Sequence, residues 1–115
     1  MKYYYNDKLI RTSDHVYTHA VISENGKCVA CRNGYANAVK AKNAEKSNAV
    51  IKEGTDAINA LKAGKTSYIY KVGRVPFKYY FKPDDTIEKY ENAIARAEKR
   101  NQTVDSWQIV ELEAR

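Results

Sequence analysis

Residues 2–33, KYYYNDKLIRTSDHVYTHAVISENGKCVACRN, decide the fold class of this chain because they predict two successive β-hairpins. In the first hairpin, Asn6-Asp7 tolerates the positive φ angles of a tight turn between two short apolar strands. In the second hairpin, Asn25-Gly26 is a strong turn signal between two further strands. The first third of the chain is therefore expected to be antiparallel sheet.

Regular strand pairing predicts a register for each hairpin. The expected pairs run from Tyr5–Lys8 to Lys2–Arg11 in the first hairpin, and from Ser23–Cys28 through Ile22–Val29 to His19–Arg32 in the second. Alternation along the strands of the second hairpin then separates two faces. The face expected to join the core carries Thr18, Ala20, Ile22, Val29 and Cys31.

The middle of the chain changes to a helical pattern from Tyr35 to Ala63, with Gly64 as a C-terminal stop. One long helix is expected there. A break within residues 43–47 and a kink at Gly54 are the alternatives.

A third hairpin is predicted for residues 67–82, with Gly73-Arg74 as its turn, and Pro76 indicates an edge strand or a bulge. A shorter helix is predicted to start at Pro83-Asp84-Asp85-Thr86 and to close at Asn101, and a last strand ends the chain. The predicted fold is α+β, in the order ββββαββαβ. It has an antiparallel sheet of six or seven strands with one long and one shorter helix packed on one face, in a single domain of residues 1–115.

Composition favours an anionic partner. The net charge is +6, and ten tyrosines accompany two phenylalanines and one tryptophan. Nucleic acid, a phosphate-bearing small molecule and an acidic protein face all suit this charge, although solvated surface lysines explain it equally well. No apolar run approaches the roughly 20 residues of a membrane helix, and no signal peptide is recognisable. A cytoplasmic location with reduced cysteines is therefore expected.

The spacing of the histidines and cysteines along the strands disfavours a metal site. His15, His19, Cys28 and Cys31 have metal-ligand side chains, but strand parity places the two thiols on opposite faces unless a bulge intervenes. The sequence therefore predicts no metal site and no cofactor.

Catalytic motifs are also missing. Gly64-Lys65-Thr66 is similar to the end of a phosphate-binding loop, but Asn59 stands where that loop needs a glycine, and the order is helix then strand. No nucleophile or acid–base pair is positioned by the sequence. A non-enzymatic protein is therefore expected.

Nine residues are the candidate ligand-binding positions. Lys71, Lys78 and Tyr80 share one strand face with Arg74 at the adjoining turn, so cations could hold phosphate while the ring stacks on a base. An ordinary solvated sheet face is the alternative. The remaining candidates are Arg11 in the first hairpin, the cross-strand pair His19 and Arg32, and Arg96 and Arg100 one helical turn apart.

The opening YYYNDKLIRTSDHVYTHAVI, residues 3–22, resembles the openings of small proteins from phages and mobile elements. The short length of the chain, its bias toward lysine, tyrosine and asparagine and its lack of a catalytic motif are similar to those of phage anti-defence proteins. Resemblance to the Thoeris anti-defence family implies sequestration of a cyclic ADP-ribose-type signal in the host cytoplasm. Resemblance to anti-CRISPR proteins implies inhibition of a nuclease complex.

The function expected from the sequence is non-enzymatic binding of an anionic, nucleotide-derived ligand. The alternatives are a protein–protein inhibitor of a host defence nuclease and a small nucleic-acid-binding protein. A homodimer or higher oligomer is also consistent with the tyrosine content, because aromatic residues are enriched at interfaces.

Overall fold

A computed structural model describes all residues from Met1 to Arg115 and contains eight strands and three helical segments. The elements are β1 (Lys2–Tyr5), β2 (Lys8–Thr12), β3 (His19–Ile22), β4 (Cys28–Arg32), α1 (Tyr35–Asn43), α2 (Asn48–Lys62), β5 (Ser67–Val72), β6 (Val75–Tyr80), α3 (Ile87–Asp105), β7 (Gln108–Glu111) and β8 (Glu113–Ala114). The predicted α+β class and the order of its elements are confirmed. No helix in the chain combines the length and the apolar character needed to cross a bilayer.

The chain packs as two compact units, residues 1–46 with 102–115, and residues 47–101. The strands form three sheets, in the orders β2-β1-β8, β4-β3-β7 and β5-β6. The sequence pattern predicts one sheet of six or seven strands, whereas the strands pair in three sheets. The sheets are separate because each hairpin pairs internally, and the first two hairpins gain a third strand from the C-terminal segment. The prediction of a single domain is not tested by this division, because the division into two units reflects packing and does not show whether the units fold separately.

The first hairpin has the predicted turn. Asn6 and Asp7 both have positive φ angles, 50° and 62°. The predicted register is confirmed for the two pairs nearest the turn. A bulge then shifts the register by one residue, so that Tyr3 faces Arg11 instead of Ile10.

The second hairpin also contains a bulge. The predicted pairs from His19–Arg32 to Val21–Ala30 are confirmed. Ile22 then faces Cys28, so the predicted Ile22–Val29 pair is wrong and Val29 is the extra residue of the bulge. The bulge reverses the face on which the start of β4 points its side chains.

Strand β3 is buried on both faces, whereas the sequence analysis expected one core face. Val21 and Ala30 belong to one apolar cluster with Ala38 of α1, Val104 and Trp107. The opposite face packs against the first hairpin through Ala20, Ile22, Cys31 and Val110, with Tyr5, Ile10 and Tyr17 alongside. Both faces are covered because helical residues lie on one side of the sheet and strands lie on the other.

The long first helical region is interrupted at residues 44–47, which is the break that the sequence analysis held as an alternative. Helix α2 continues through Gly54 without interruption. The interruption is stabilised at the start of α2, where the Ser47 backbone N–H donates to Oδ1 of Asn101 at 2.7 Å. A side-chain acceptor therefore satisfies a backbone donor where the helical ladder is broken.

The core of residues 47–101 is an aromatic cluster around Tyr68. The third hairpin has the predicted register from Val72–Val75 to Ser67–Tyr80, which places all of its aromatic rings except that of Tyr80 on one face. The rings around Tyr68 are those of Tyr70, Tyr79, Phe81 and Tyr90. Ala57 and Ala60 of α2 pack against the same cluster. Since β5 and β6 pair only with each other, Pro76 lies in an edge strand as predicted.

We expect Gly54→Ala to destabilise the protein by about 1 kcal/mol despite the better helix propensity of alanine. A Cβ at residue 54 would lie 2.8 Å from Cγ1 of Ile94, and overpacking of this kind costs about 1–3 kcal/mol against a propensity gain of about 1 kcal/mol. Urea denaturation measures the change. In an Ile94→Ala background the same substitution should instead stabilise, and equal effects in both backgrounds would contradict the steric explanation.

Candidate anionic-ligand site

A groove of about 480 Å³ lies between the second half of α2 and the β5–β6 hairpin, and is larger than three other surface grooves of about 190, 240 and 280 Å³. Its lining combines two lysines, one carboxylate, small polar groups and an apolar floor. The lining residues are Asp56, Asn59, Ala60, Lys65, Ser67, Tyr68, Ile69 and Lys78. All of them belong to the unit formed by residues 47–101.

The end of α2 turns the chain back beside the helix. The Ala63 N–H donates to the Asn59 carbonyl at 3.1 Å, and the Lys65 N–H donates to the Ala60 carbonyl at 2.9 Å. Gly64 has a φ of 72°, which is the left-handed conformation that ends many helices. Lys65 therefore enters the groove wall directly after the turn.

The opposite wall comes from the hairpin, where Lys78 and Ile69 face each other across β5 and β6. The Lys78 ammonium lies 5.4 Å from the ring centroid of Tyr80, within the range of a cation–π contact. The Tyr80 side chain is largely solvent-accessible, since the residue is 65% exposed. An apolar and an aromatic surface therefore adjoin the lysine.

A partly buried hydrogen bond fixes Tyr68, which lines the groove. The Tyr68 hydroxyl donates to Oε1 of Glu53 at 2.7 Å. Burial, followed by the hydrogen bond to this carboxylate, raises the pKa of Tyr68. Tyr68 therefore stays a neutral, fixed donor at physiological pH.

The charges of the groove favour an anion that also carries hydroxyl or amino donors. Lys65 and Lys78 contribute two positive charges against the single negative charge of Asp56. Partial negative charge at the C-terminal end of α2 opposes an anion, and Lys65 offsets it at that end. The carboxylate of Asp56 can accept hydrogen bonds from a sugar hydroxyl or an amino group.

Lys78 is the predicted site residue that lines this groove. Lys71 lines a neighbouring groove of about 190 Å³ that shares Asp56 and Ile69 with the first. Arg74 lies in the exposed hairpin turn. The β5–β6 hairpin carries Lys71, Arg74 and Lys78 and no acidic residue between residues 67 and 80.

The two arginines of α3 lie elsewhere in the same unit. Arg96 lines a groove of about 240 Å³ with Ser47 and Val50. Arg100 follows one helical turn later and is exposed. Neither lines the 480 Å³ groove, so their ligand-binding role stays a prediction.

The predicted candidates of the other unit do not converge on one groove. The Arg11 guanidinium lies 5.6 Å from the ring centroid of Tyr17. His19 and Arg32 face each other in the register, but Nδ1 of His19 is 2.7 Å from Oγ1 of Thr18. Arg32 donates to the Cys31 carbonyl at 2.7 Å and lines a groove of about 280 Å³.

Sequence analysis did not identify Asn59, Lys65 and Ser67 as groove residues. The segment Gly64-Lys65-Thr66 was considered only as a phosphate-binding loop, which it does not form because a helix precedes it and a strand follows. The helix–glycine–strand order is the sequence signal that could have identified Lys65. A left-handed turn at Gly64 brings the chain back toward the helix, so the next side chain can line a groove beside it.

The predicted separation of the two thiols is wrong. The bulge at Val29 brings Sγ of Cys28 within 3.6 Å of Sγ of Cys31, and both cysteines are free. No group of three or more histidine, cysteine, aspartate or glutamate side chains is arranged to hold a metal ion. The thiols therefore form a pair without a third ligand from the chain.

Comparison of the chain with known protein families, with curated proteins and with solved structures finds no match. The groove, its charges and its side chains are therefore the structural basis for assigning a ligand class to this chain.

Proposed function

We propose that this protein binds an anionic, nucleotide-derived small molecule without transforming it, in the groove between α2 and the β5–β6 hairpin. The observation that supports this proposal is the presence of Lys65 and Lys78 in one groove of about 480 Å³ with the neutral donors Ser67 and Asn59. A volume of this size is within the roughly 300–1,000 Å³ that small-molecule sites occupy.

Each part of a nucleotide has a matching group in this groove or, for Tyr80, beside it. The two ammonium groups can hold phosphate oxygens, since hydrogen bonds between ionised partners are the stronger kind. Asp56 can accept from a ribose hydroxyl, as acidic residues do in many nucleotide sites. Ile69 and the exposed ring of Tyr80 offer apolar surface to a base.

Binding without catalysis is supported by the composition of the groove. Its lining has one carboxylate, Asp56, and no histidine or cysteine, so it lacks the residues that most often form a nucleophile–base pair. We further propose sequestration of a cyclic ADP-ribose-type signal by a phage-encoded anti-defence protein. This part of the proposal rests on the resemblance of residues 3–22 alone.

We expect Lys78→Ala and Lys65→Ala each to weaken nucleotide binding about tenfold or more, because each removes a charge-assisted hydrogen bond worth about 1.5–3 kcal/mol. Isothermal titration calorimetry should use inorganic phosphate, AMP, ADP-ribose and cyclic ADP-ribose at low and physiological salt. Lys62→Ala is the matched control, since Lys62 is an exposed lysine of α2 outside the groove lining.

The nucleotide proposal is contradicted if none of these compounds binds at millimolar concentration. A Lys62→Ala variant that loses as much affinity as Lys78→Ala would also contradict it. That result would assign the effect to net charge and not to the groove.

A second candidate function is inhibition of a host nuclease by protein–protein contact. The hairpin exposes a set of apolar side chains beside its three cations: Ile69, Val72, Val75, Phe77 and Tyr80. Both hairpin edges are unpaired, which suits addition of a partner strand or docking of an acidic protein face.

Co-purification with a host nuclease tests this second function. A stoichiometric complex that is lost in a Val75→Glu/Phe77→Ser variant would support it. Binding of single-stranded oligonucleotides that weakens steeply with salt would instead assign this face to nucleic acid.

A further inference from the structure

The two cysteines of β4 are a contacting thiol pair with unequal access to solvent. Cys28 is partly exposed, whereas Cys31 has no exposed surface. Their Sγ atoms are 3.6 Å apart, which is van der Waals contact for two sulfurs. The contact depends on the bulge, because a regular strand would point side chains three residues apart to opposite faces.

The register indicates that a disulfide can close here under strain. Cys28 faces Ile22 and Cys31 faces Ala20, and these partners are two residues apart on β3. At a rise of about 3.3 Å per residue, the two cysteine Cα atoms are therefore about 6.6 Å apart. That spacing lies at the upper end of the range for disulfides, and strained disulfides are the readily reduced ones.

Two arginines influence the pair. The positive charge of Arg11 acts on both thiols, and that of Arg32 acts on Cys31. Burial, followed by the hydrogen bond with Cys28, nevertheless raises the pKa of Cys31 to about 11, against the effect of both arginines. Cys31 therefore stays a thiol at neutral pH, and Cys28 is the sulfur that an incoming molecule can reach.

We propose that Cys28 and Cys31 form a reversible thiol–disulfide site whose oxidant is a low-molecular-weight disulfide of the glutathione class. Cys28 Sγ gives its proton to solvent and attacks one sulfur of the oxidant, which forms a mixed disulfide and releases one small thiol. Cys31 Sγ then loses its proton and attacks Cys28 Sγ, which releases the second small thiol. Two cysteine thiols are thereby oxidised by two electrons, and one small disulfide is reduced to two thiols.

Intact mass spectrometry of the folded, full-length chain in glutathione redox buffers tests the site. After acid quench and alkylation, we expect a species two hydrogens lighter than the reduced chain, with no alkyl label and no glutathione. Its fraction should rise with the share of oxidised glutathione, and dithiothreitol should reverse it fully. The nucleotide-binding groove plays no part in this result.

Single serine variants separate the roles of the two sulfurs. Cys31→Ser should stop at the mixed disulfide and hold one glutathione on Cys28. In Cys28→Ser, alkylation of the buried Cys31 should be at least about tenfold slower than alkylation of Cys28 in Cys31→Ser. Circular dichroism checks that both variants fold, and the wild-type result decides the proposal if either does not.

Three outcomes would overturn the proposal. The wild-type chain could keep glutathione on Cys28 without internal closure, form only disulfide-linked dimers, or close only in denaturant. Each would show that the backbone of β4 prevents the bond in the folded protein.

Discussion

Replacing Tyr68 with alanine is expected to lower the free energy of unfolding of residues 47–101 by about 3–5 kcal/mol, the usual cost of deleting a buried aromatic side chain. Tyr68 is 8% exposed and its ring centroid lies 5.4 to 6.4 Å from those of four aromatic neighbours. Each such ring pair contributes about 0.5–1.5 kcal/mol beyond the burial of area. Removing the ring therefore leaves a cavity at the centre of the cluster.

Two further substitutions separate ring burial from other effects. Tyr68→Phe keeps the ring and loses the hydroxyl that donates to Glu53, so it should cost about 0.5–1.5 kcal/mol, the usual net contribution of one hydrogen bond, because water can solvate the exposed Glu53 carboxylate. Tyr80→Ala removes an exposed ring of the same hairpin and should change stability by no more than about 0.5 kcal/mol.

Urea denaturation and peptide-level hydrogen exchange of β5, β6 and α2 give the measurement. Equal losses for Tyr68→Ala and Tyr80→Ala would show that the cluster does not stabilise these elements.

The second large effect is expected for Asp85→Asn, which should lower the melting temperature at pH 7 by about 5–10 °C. The Asp85 side chain is 1% exposed and accepts three hydrogen bonds of 2.7 Å. Their donors are the ammonium of Lys89, the backbone N–H of Lys82 and the hydroxyl of Tyr79. Asparagine cannot accept all three hydrogen bonds, because an NH2 donor replaces one of the two oxygens of the carboxylate.

The Asp85 effect should depend on pH in a defined direction. The hydrogen bonds from Lys89, Lys82 and Tyr79, in that order, hold the pKa of Asp85 well below its usual range. A carboxyl group with a depressed folded-state pKa stabilises the fold above its unfolded pKa of about 3.9. That contribution is lost as the pH falls through the lower, folded-state pKa. The melting-temperature difference between wild type and Asp85→Asn should therefore shrink below about pH 4.

Asp84→Asn is the matched control, because Asp84 is the exposed neighbour of Asp85 in the same loop. Differential scanning calorimetry from pH 7 to pH 2 should find a small and nearly constant effect for Asp84→Asn. A difference for Asp85→Asn that stays constant down to pH 2 would contradict the assignment of the network to the ionised carboxylate.

Local chemistry made much of the fold predictable. Asn6-Asp7, Asn25-Gly26 and Gly73 each set a turn, and in the first and third hairpins the strand pairs next to the turn follow from turn geometry. The third hairpin keeps its full predicted register, because it pairs with no other strand and packs on one aromatic face. The first two hairpins depart from their predicted registers at bulges.

The start of α3 shows how local signals compete. Asp85 and Glu88 have capping-box spacing, but α3 begins at Ile87, and it is Thr86 whose hydroxyl accepts the Lys89 N–H at 3.2 Å. The Asp85 carboxylate instead accepts hydrogen bonds from Tyr79 of the hairpin and from Lys89 of α3. Sequence spacing alone cannot tell whether Asp85 or Thr86 caps the helix. The choice depends on the tertiary partners of Asp85, which are not visible in the sequence.

The candidate site was predictable only in part. Lys78 followed from strand alternation, which is a local property. The matching wall of the groove, with Lys65 and Asn59, depends on how α2 packs beside β5 after the turn at Gly64. That packing is set by the aromatic cluster around Tyr68, whose members are spread from residue 68 to residue 90.

The sequence by itself determined the α+β class, the order of the elements and the turns, because these depend on φ preferences and on alternation over a few residues. Only the tertiary structure decided the bulge at Val29 and the contact of Cys28 with Cys31. A bulge gives up regular ladder hydrogen bonds, so it persists where packing on both faces of the sheet compensates. In this protein, that packing comes from α1 and the end of α3 on one face and from the first hairpin on the other.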